Sequence, residues 1–123
     1  MSRIVSIHTQ FRDVEILTAC LEFSGCQVLR EPNGIMMPGA SAPVDILVHA
    51  SFGALGFRKR ADGQYEVIGE DQMLARHQDF LNRLAQQYAY RKIIKDARAA
   101  GYNVVQEEMG EDRTIKLVVR KWS

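Results

Sequence analysis

At 123 residues with 46% hydrophobic side chains, the chain has the length of one domain, spanning 1–123, and the composition of an ordinary globular protein. A chain of this size buries on the order of two thirds of the surface its unfolded form exposes, so folding needs neither disulfide nor metal, and no cofactor is expected. The formal net charge of +1 argues against a strongly basic protein built to neutralise many phosphates.

The charge is unevenly spread: residues 1–75 carry 6 Lys/Arg against 9 Asp/Glu, whereas residues 76–123 carry 10 against 6. The C-terminal third is therefore the basic end. Cys20 and Cys26 are too few for a secreted disulfide framework, and the N-terminus lacks a charged, apolar and small-residue signal pattern. A reducing, cytoplasmic setting is expected. The apolar runs are only a few residues long, far short of the roughly 20 needed to cross a bilayer, so no membrane association is expected.

Residues 3–8 (RIVSIH) are short and β-branched, which suits a strand with Val5 and Ile7 on one face. His8 has no second His or Cys at metal spacing and reads as a polar strand-end residue. Asp13 stands where a helix cap belongs, ahead of Val14, Ile16, Leu17, Cys20 and Leu21, and Gly25 follows where a left-handed stop is wanted. A first helix over 14–24 results. Cys20 and Cys26 read as small buried hydrophobes, not reactive thiols.

A short strand is expected over 26–30, followed by a loop over 31–43 that holds all three prolines. Ile35, Met36 and Met37 within it are expected to fold back and cap the core. Three strands follow, over 44–49, 53–59 and 64–68, with Asp62 and Gly63 turning between the last two. The segment Phe52 to Phe57 (FGALGF) lacks the Lys and Ser/Thr of a phosphate loop and the basic residues of a nucleic-acid clamp. Gly53 and Gly56 are therefore read as structural, admitting a bulge or close packing. Arg58, Lys59 and Arg60 read as a solvated hairpin tip, and neither His49 nor His77 has a neighbour in sequence that marks it as a base.

Residues 70–78 look like a polar connector, after which 80–100 form a long helix stopped by Gly101. Phe80, Leu81, Leu84, Ala85 and Tyr88 make one apolar stripe, and Ala89, Ile93, Ala97 and Ala100, with Tyr90 and Ile94, make another roughly opposite at 100° per residue. With no Pro or Gly inside to kink it, such a helix is either sandwiched by its own chain or shares one stripe with a partner protein or a second copy. Residues 102–107 and 114–122 pair as a hairpin around Gly110, Glu111 and Asp112. Trp122 beside Arg120 and Lys121 pins the last strand or stacks a ring.

The run 80–84, then Gln87, Tyr88, Ala89 and Tyr90 (QYAY), Ala97, Gly101 and Tyr102, and the ending 115–123 (IKLVVRKWS), resemble the hypothetical chloroplast open reading frame 35 family. That family is also called domain of unknown function 1257, and Ile7, Thr9, Arg12 and Asp13 resemble its start. Arg3 and Ile4 depart from its pattern, as does 32–43. The resemblance implies a plastid or cyanobacterial type of protein, in the stroma where plastid-encoded. It supplies no catalytic residue, and it implies an AAA-type ATPase, often encoded nearby, as a partner.

The expected fold is α+β, an antiparallel sheet of six to seven strands with two helices on one face in the order β-α-β-β-β-β-α-β-β. The expected function is a non-enzymatic binding or adaptor module. It acts through the long helix and the hairpin, with Phe80, Leu84, Tyr88, Tyr90 and Trp122 as candidate interface. The alternative is an RNA or single-strand binder using Arg91, Lys92, Lys95, Arg98, Arg120 and Lys121. A small enzyme using Glu107, Glu108, Glu111 or Asp112 with a histidine comes last, and no catalytic, cofactor or metal residue is assigned.

Overall fold

A computed structural model describes residues 2–109 and 115–121, with side-chain environments over 2–102. The elements are β1 (Ile4–His8), α1 (Val14–Phe23), β2 (Gln27–Ile35), β3 (Val44–Ala50), β4 (Gly53–Lys59), β5 (Tyr65–Glu70), α2 (Asp71–Arg76), α3 (Gln78–Ala99), β6 (Tyr102–Met109) and β7 (Ile115–Lys121). The class is α+β. The chain divides into two compact units, Met1–Leu84 and Ala85–Ser123, and α3 begins in the first and ends in the second.

The strands do not form one sheet. The first unit holds a five-stranded antiparallel sheet in the order β1-β5-β4-β3-β2, and the second holds the antiparallel pair β6-β7. Sequence patterns mark strands but not which edge each one joins. β7 follows β6 after a few residues, so local pairing closes a short loop at little entropic cost.

In the five-stranded sheet, β1 and β2 occupy opposite edges, so the helix between them has to span the sheet. α1 starts at Asp13, whose Oδ1 accepts from the amides of Glu15 at 3.0 Å and Ile16 at 3.1 Å. It ends before Gly25, at φ 86°, a conformation open to glycine because it has no Cβ. Leu17, Cys20 and Leu21 of α1 are buried, as are Ile46, Val48, Leu55, Phe57 and Val67, which share one sheet face through the pairings Ile46↔Phe57, Val48↔Leu55 and Phe57↔Val67. Phe57 has no exposed surface, and its ring meets Phe11 at 6.3 Å between centroids.

The other face is covered by the β2–β3 connection. Met37, Val44, Leu47 and Ile68 form a buried cluster, with Ile35, Ala40, Ile4 and Ala54 against it. Met37 and Ile35 cap the core as expected from the sequence, whereas Met36 points outward, 61% exposed.

Two local expectations are corrected. β2 does not stop at Arg30 but runs through Pro32 to Ile35, with a register shift between Arg30 and Ile35. Pro32 is tolerated because β2 is an edge strand and the irregularity relieves it of a ladder bond. The connector after β5 is helical at Asp71–Arg76. Its one buried residue, Leu74, lies near Leu55 at Gly69, where a β-carbon would meet both within 3.3 Å.

Gly56 is a close-packing glycine: a β-carbon there would lie 2.6 Å from Val44 Cγ1 and 3.2 Å from Met37 Sδ. Gly56→Ala is therefore expected to lower stability by about 1 to 3 kcal/mol through overpacking, read as a reduced midpoint in urea denaturation. An unchanged midpoint would show that Val44 and Met37 repack freely.

Candidate functional site

Several chain reversals meet at one end of the five-stranded sheet. The α1–β2 turn brings Ser24, Gly25 and Cys26, the β3–β4 turn brings Ala50, Ser51 and Phe52, and the end of β5 leads into α2 and the start of α3. The β5–α2 junction is tied to β1. The Asp71 amide donates to the Arg3 carbonyl at 2.9 Å, and Asp71 Oδ1 accepts from the amides of Arg3 at 3.2 Å and Gln72 at 2.8 Å. The hydrogen bond from the Arg3 amide, reinforced by that from Gln72, holds the Asp71 carboxyl below the usual carboxylate range.

α2 and α3 meet at His77, whose carbonyl accepts from the amides of Phe80 at 3.1 Å and Leu81 at 3.3 Å. Its ring stacks on Phe52, with centroids 3.9 Å apart and planes 13° apart. Phe80 meets the same Phe52 edge-on at 5.1 Å, the geometry that ring quadrupoles favour. This aromatic and imidazole cluster stands between two open clefts. One, about 390 Å³, is lined by Ile4, Met37, Pro38, Glu70 and Met73 among others. The second, about 440 Å³, is lined by Cys26, Ser51, Asp79, Phe80 and Arg83. Phe52, Arg76 and His77 line both.

Sequence reasoning missed this cluster. Phe52 and His77 are far apart along the chain, and only the pairing of β3 with β4 and of β4 with β5 brings the Phe52 turn beside the α2–α3 junction. The other histidines lie elsewhere: His8 shares a 2.6 Å hydrogen bond with Gln64 Oε1, and His49 is exposed on β3. Among the described residues no group of three His, Cys, Asp or Glu side chains is placed to hold a metal.

The residues singled out from the sequence fall into three groups. Leu84 and Tyr88 are buried, 1% and 7% exposed, so neither offers a free surface, and Phe80 belongs to the cluster just described. Tyr90 is half-buried and engaged within the chain. Arg91, Lys92 and Lys95 are each engaged within the chain too, Lys92 through a 2.9 Å pair with Asp96, while Arg98 is exposed in the last turn of α3. Arg120 and Lys121 lie in β7, opposite Asn103 and Tyr102, and their side chains fall outside the described environments. Trp122, Glu111 and Asp112 lie outside the described residues, and Glu107 and Glu108 sit in β6. Both cysteines are buried and outside any disulfide, and burial pushes the Cys26 thiol up.

The fold and site define an α+β protein whose antiparallel sheet is crossed by one helix and closed at one end by an aromatic and histidine cluster between two clefts. The chain belongs to the family described as protein of unknown function (DUF1257), whose model matches residues 24–118. It is 27% identical over 128 residues to the uncharacterized protein ycf35 of Pyropia yezoensis, covering 100% of this chain and 99% of that one. It is 29% identical over 127 residues to the uncharacterized protein ycf35 of Cyanophora paradoxa, covering 99% and 98%. A shorter match to the protein of that name in Guillardia theta reaches 44% identity over 43 residues, about a third of either chain. No solved structure matches. No helix among the described residues is long and apolar enough to cross a membrane.

Two measurements check the site's chemistry. A carboxyl whose folded-state pKa is depressed stabilises the fold above the ordinary carboxylate range and loses that contribution as pH falls through its folded value. Asp71→Asn is therefore expected to melt below wild type at neutral pH, with the difference shrinking in acid. A constant difference at every pH would point to lost hydrogen bonds alone. The two buried thiols should react slowly with a disulfide reagent in the native protein and rapidly once it is unfolded, because burial keeps the reagent from them and, at Cys26, also disfavours the thiolate that attacks.

Proposed function

We propose that this protein is a non-enzymatic binding module that docks a protein partner through the second half of α3, with the β6–β7 pair completing the same compact unit. One observation carries this reading: Ile93 is 51% exposed in the middle of that half. At 100° per residue, Ala89, Ile93, Ala97 and Ala100 share an arc of roughly 80°. The flanking alanines keep the backbone accessible beside one large aliphatic anchor. A partner helix or strand can pack closely on such a surface, and burying a residue like Ile93 removes apolar area worth about 1.5 to 3 kcal/mol.

The opposite face of this half carries Arg91, Lys95 and Arg98 within roughly 60°. An RNA or single-strand binder needs such cations available for phosphates. Arg91 and Lys95 are engaged within the chain, so the protein-binding reading is preferred. An AAA-type ATPase is the first partner to test.

Ile93→Asp is expected to leave the melting temperature and circular dichroism unchanged while abolishing co-purification with that ATPase when both are co-expressed. Light scattering on the isolated wild-type chain separates the second occupant, since a doubled mass that Ile93→Asp returns to monomer would replace the ATPase by a second copy. Retention of the partner by the folded variant, together with a monomeric wild type, would sink the α3 surface as the docking site.

A further inference from the structure

We infer that the 440 Å³ cleft beside Phe52 and Phe80 is an anion site that takes the phosphate group of a small phosphorylated molecule. Four arginines of the first unit have their guanidinium groups held. Arg12 donates to the Asp62 carbonyl at 2.8 Å, Arg30 pairs with Glu15, Arg58 with Glu66 and the carbonyls of Ala42 and Pro43, and Arg60 with Asp62. Arg3, Arg76 and Arg83 differ: all three are exposed, no guanidinium among them has a hydrogen bond or ion pair among the described residues, and Arg3 lies outside the cleft, which leaves Arg76 and Arg83. Both line this one cleft.

The remaining polar lining fits the same ligand. His77, held by its stack on Phe52, offers ring nitrogens, and Ser51 offers a hydroxyl from the β3–β4 turn. Asp79 is the cleft's one carboxylate, so two fixed positive charges face a single negative one. Guanidinium forks match phosphate oxygens in geometry as well as charge. Two of them suit a dianionic phosphate better than a monoanionic carboxylate, which one arginine would satisfy. The volume is that of a small-molecule site, and Phe52 and Phe80 give an apolar wall for the body of the ligand. A nucleic-acid strand would instead require a charged stripe running beyond the cleft.

The test is titration of the full-length chain with inorganic phosphate at low ionic strength, followed through the His77 ring signals in NMR. Saturable shifts at His77 are expected, and Arg76→Ala and Arg83→Ala should each weaken binding at least tenfold with unchanged melting temperatures. Arg98→Ala, outside the cleft, should bind as wild type does. The inference fails if phosphate leaves the His77 signals unmoved. It fails equally if the Arg76 and Arg83 variants bind normally, or if Arg98→Ala loses as much, which would mark diffuse charge attraction. Should either alanine variant unfold, Arg76→Gln and Arg83→Gln keep the stems that cover apolar surface and repeat the comparison.

Discussion

The first unit depends on one constraint: β1 and β2 lie at opposite edges of a sheet whose middle strands are built afterwards. The chain commits to both edges before it has made β3, β4 and β5. The connection between those edges, residues 9–26, carries a helix, and α1 has Leu17, Cys20 and Leu21 buried. The β2-β3-β4-β5 meander then fills inward until β5 pairs with β1, from Ile4↔Glu70 to His8↔Glu66. Phe57, on the central strand, has no exposed surface and meets the Phe11 ring from the β1–α1 connection.

That closure also decides where chemistry can gather. Pairing β5 with β1 leaves β5 ending beside the start of β1, where Asp71 locks on to Arg3. α2 and α3 therefore begin at the same end of the sheet as the β3–β4 turn and the end of α1. His77, Phe52, Arg76 and Arg83 come together as a consequence of topology and not of any motif. The tie through Asp71 is modest in energy because it is exposed, yet its position matters: it fixes the direction in which α2 leaves the sheet.

Legibility in the sequence followed how local each signal was. The Asp13 cap, the Gly25 and Gly101 stops and the Asp62–Gly63 turn are set by residues within a few positions of one another, and each lies where the sequence indicates. Strands β3 and β4 and the capping role of Met37 were likewise readable from apolar pattern. The extension of β2 past Pro32 was not, because it depends on β2 being an edge strand, which is a property of the whole sheet. The separation of β6 and β7 from the larger sheet and the meeting of Phe52 with His77 are non-local in the same way. Of the residues singled out for an interface, Leu84 and Tyr88 turned out buried, since an apolar stripe alone does not say whether its own chain covers it.

The change of apolar face along α3 now has a physical reading. Phe80, Leu84 and Tyr88 lie on one side of the helix, and advancing at 100° per residue that same side continues as Arg91, Lys95 and Arg98. The stripe does not wander; it changes chemistry, from apolar to cationic, between Tyr88 and Arg91. Arg91 and Lys95 are engaged within the chain, as Tyr88 is, while Lys95 and Arg98 remain exposed. The only large apolar group left substantially exposed on α3 is Ile93, on the opposite side. On the side opposite these cations, Ala89 and Ala100 are exposed beside Ile93, so the second half of α3 presents one large aliphatic group among small ones.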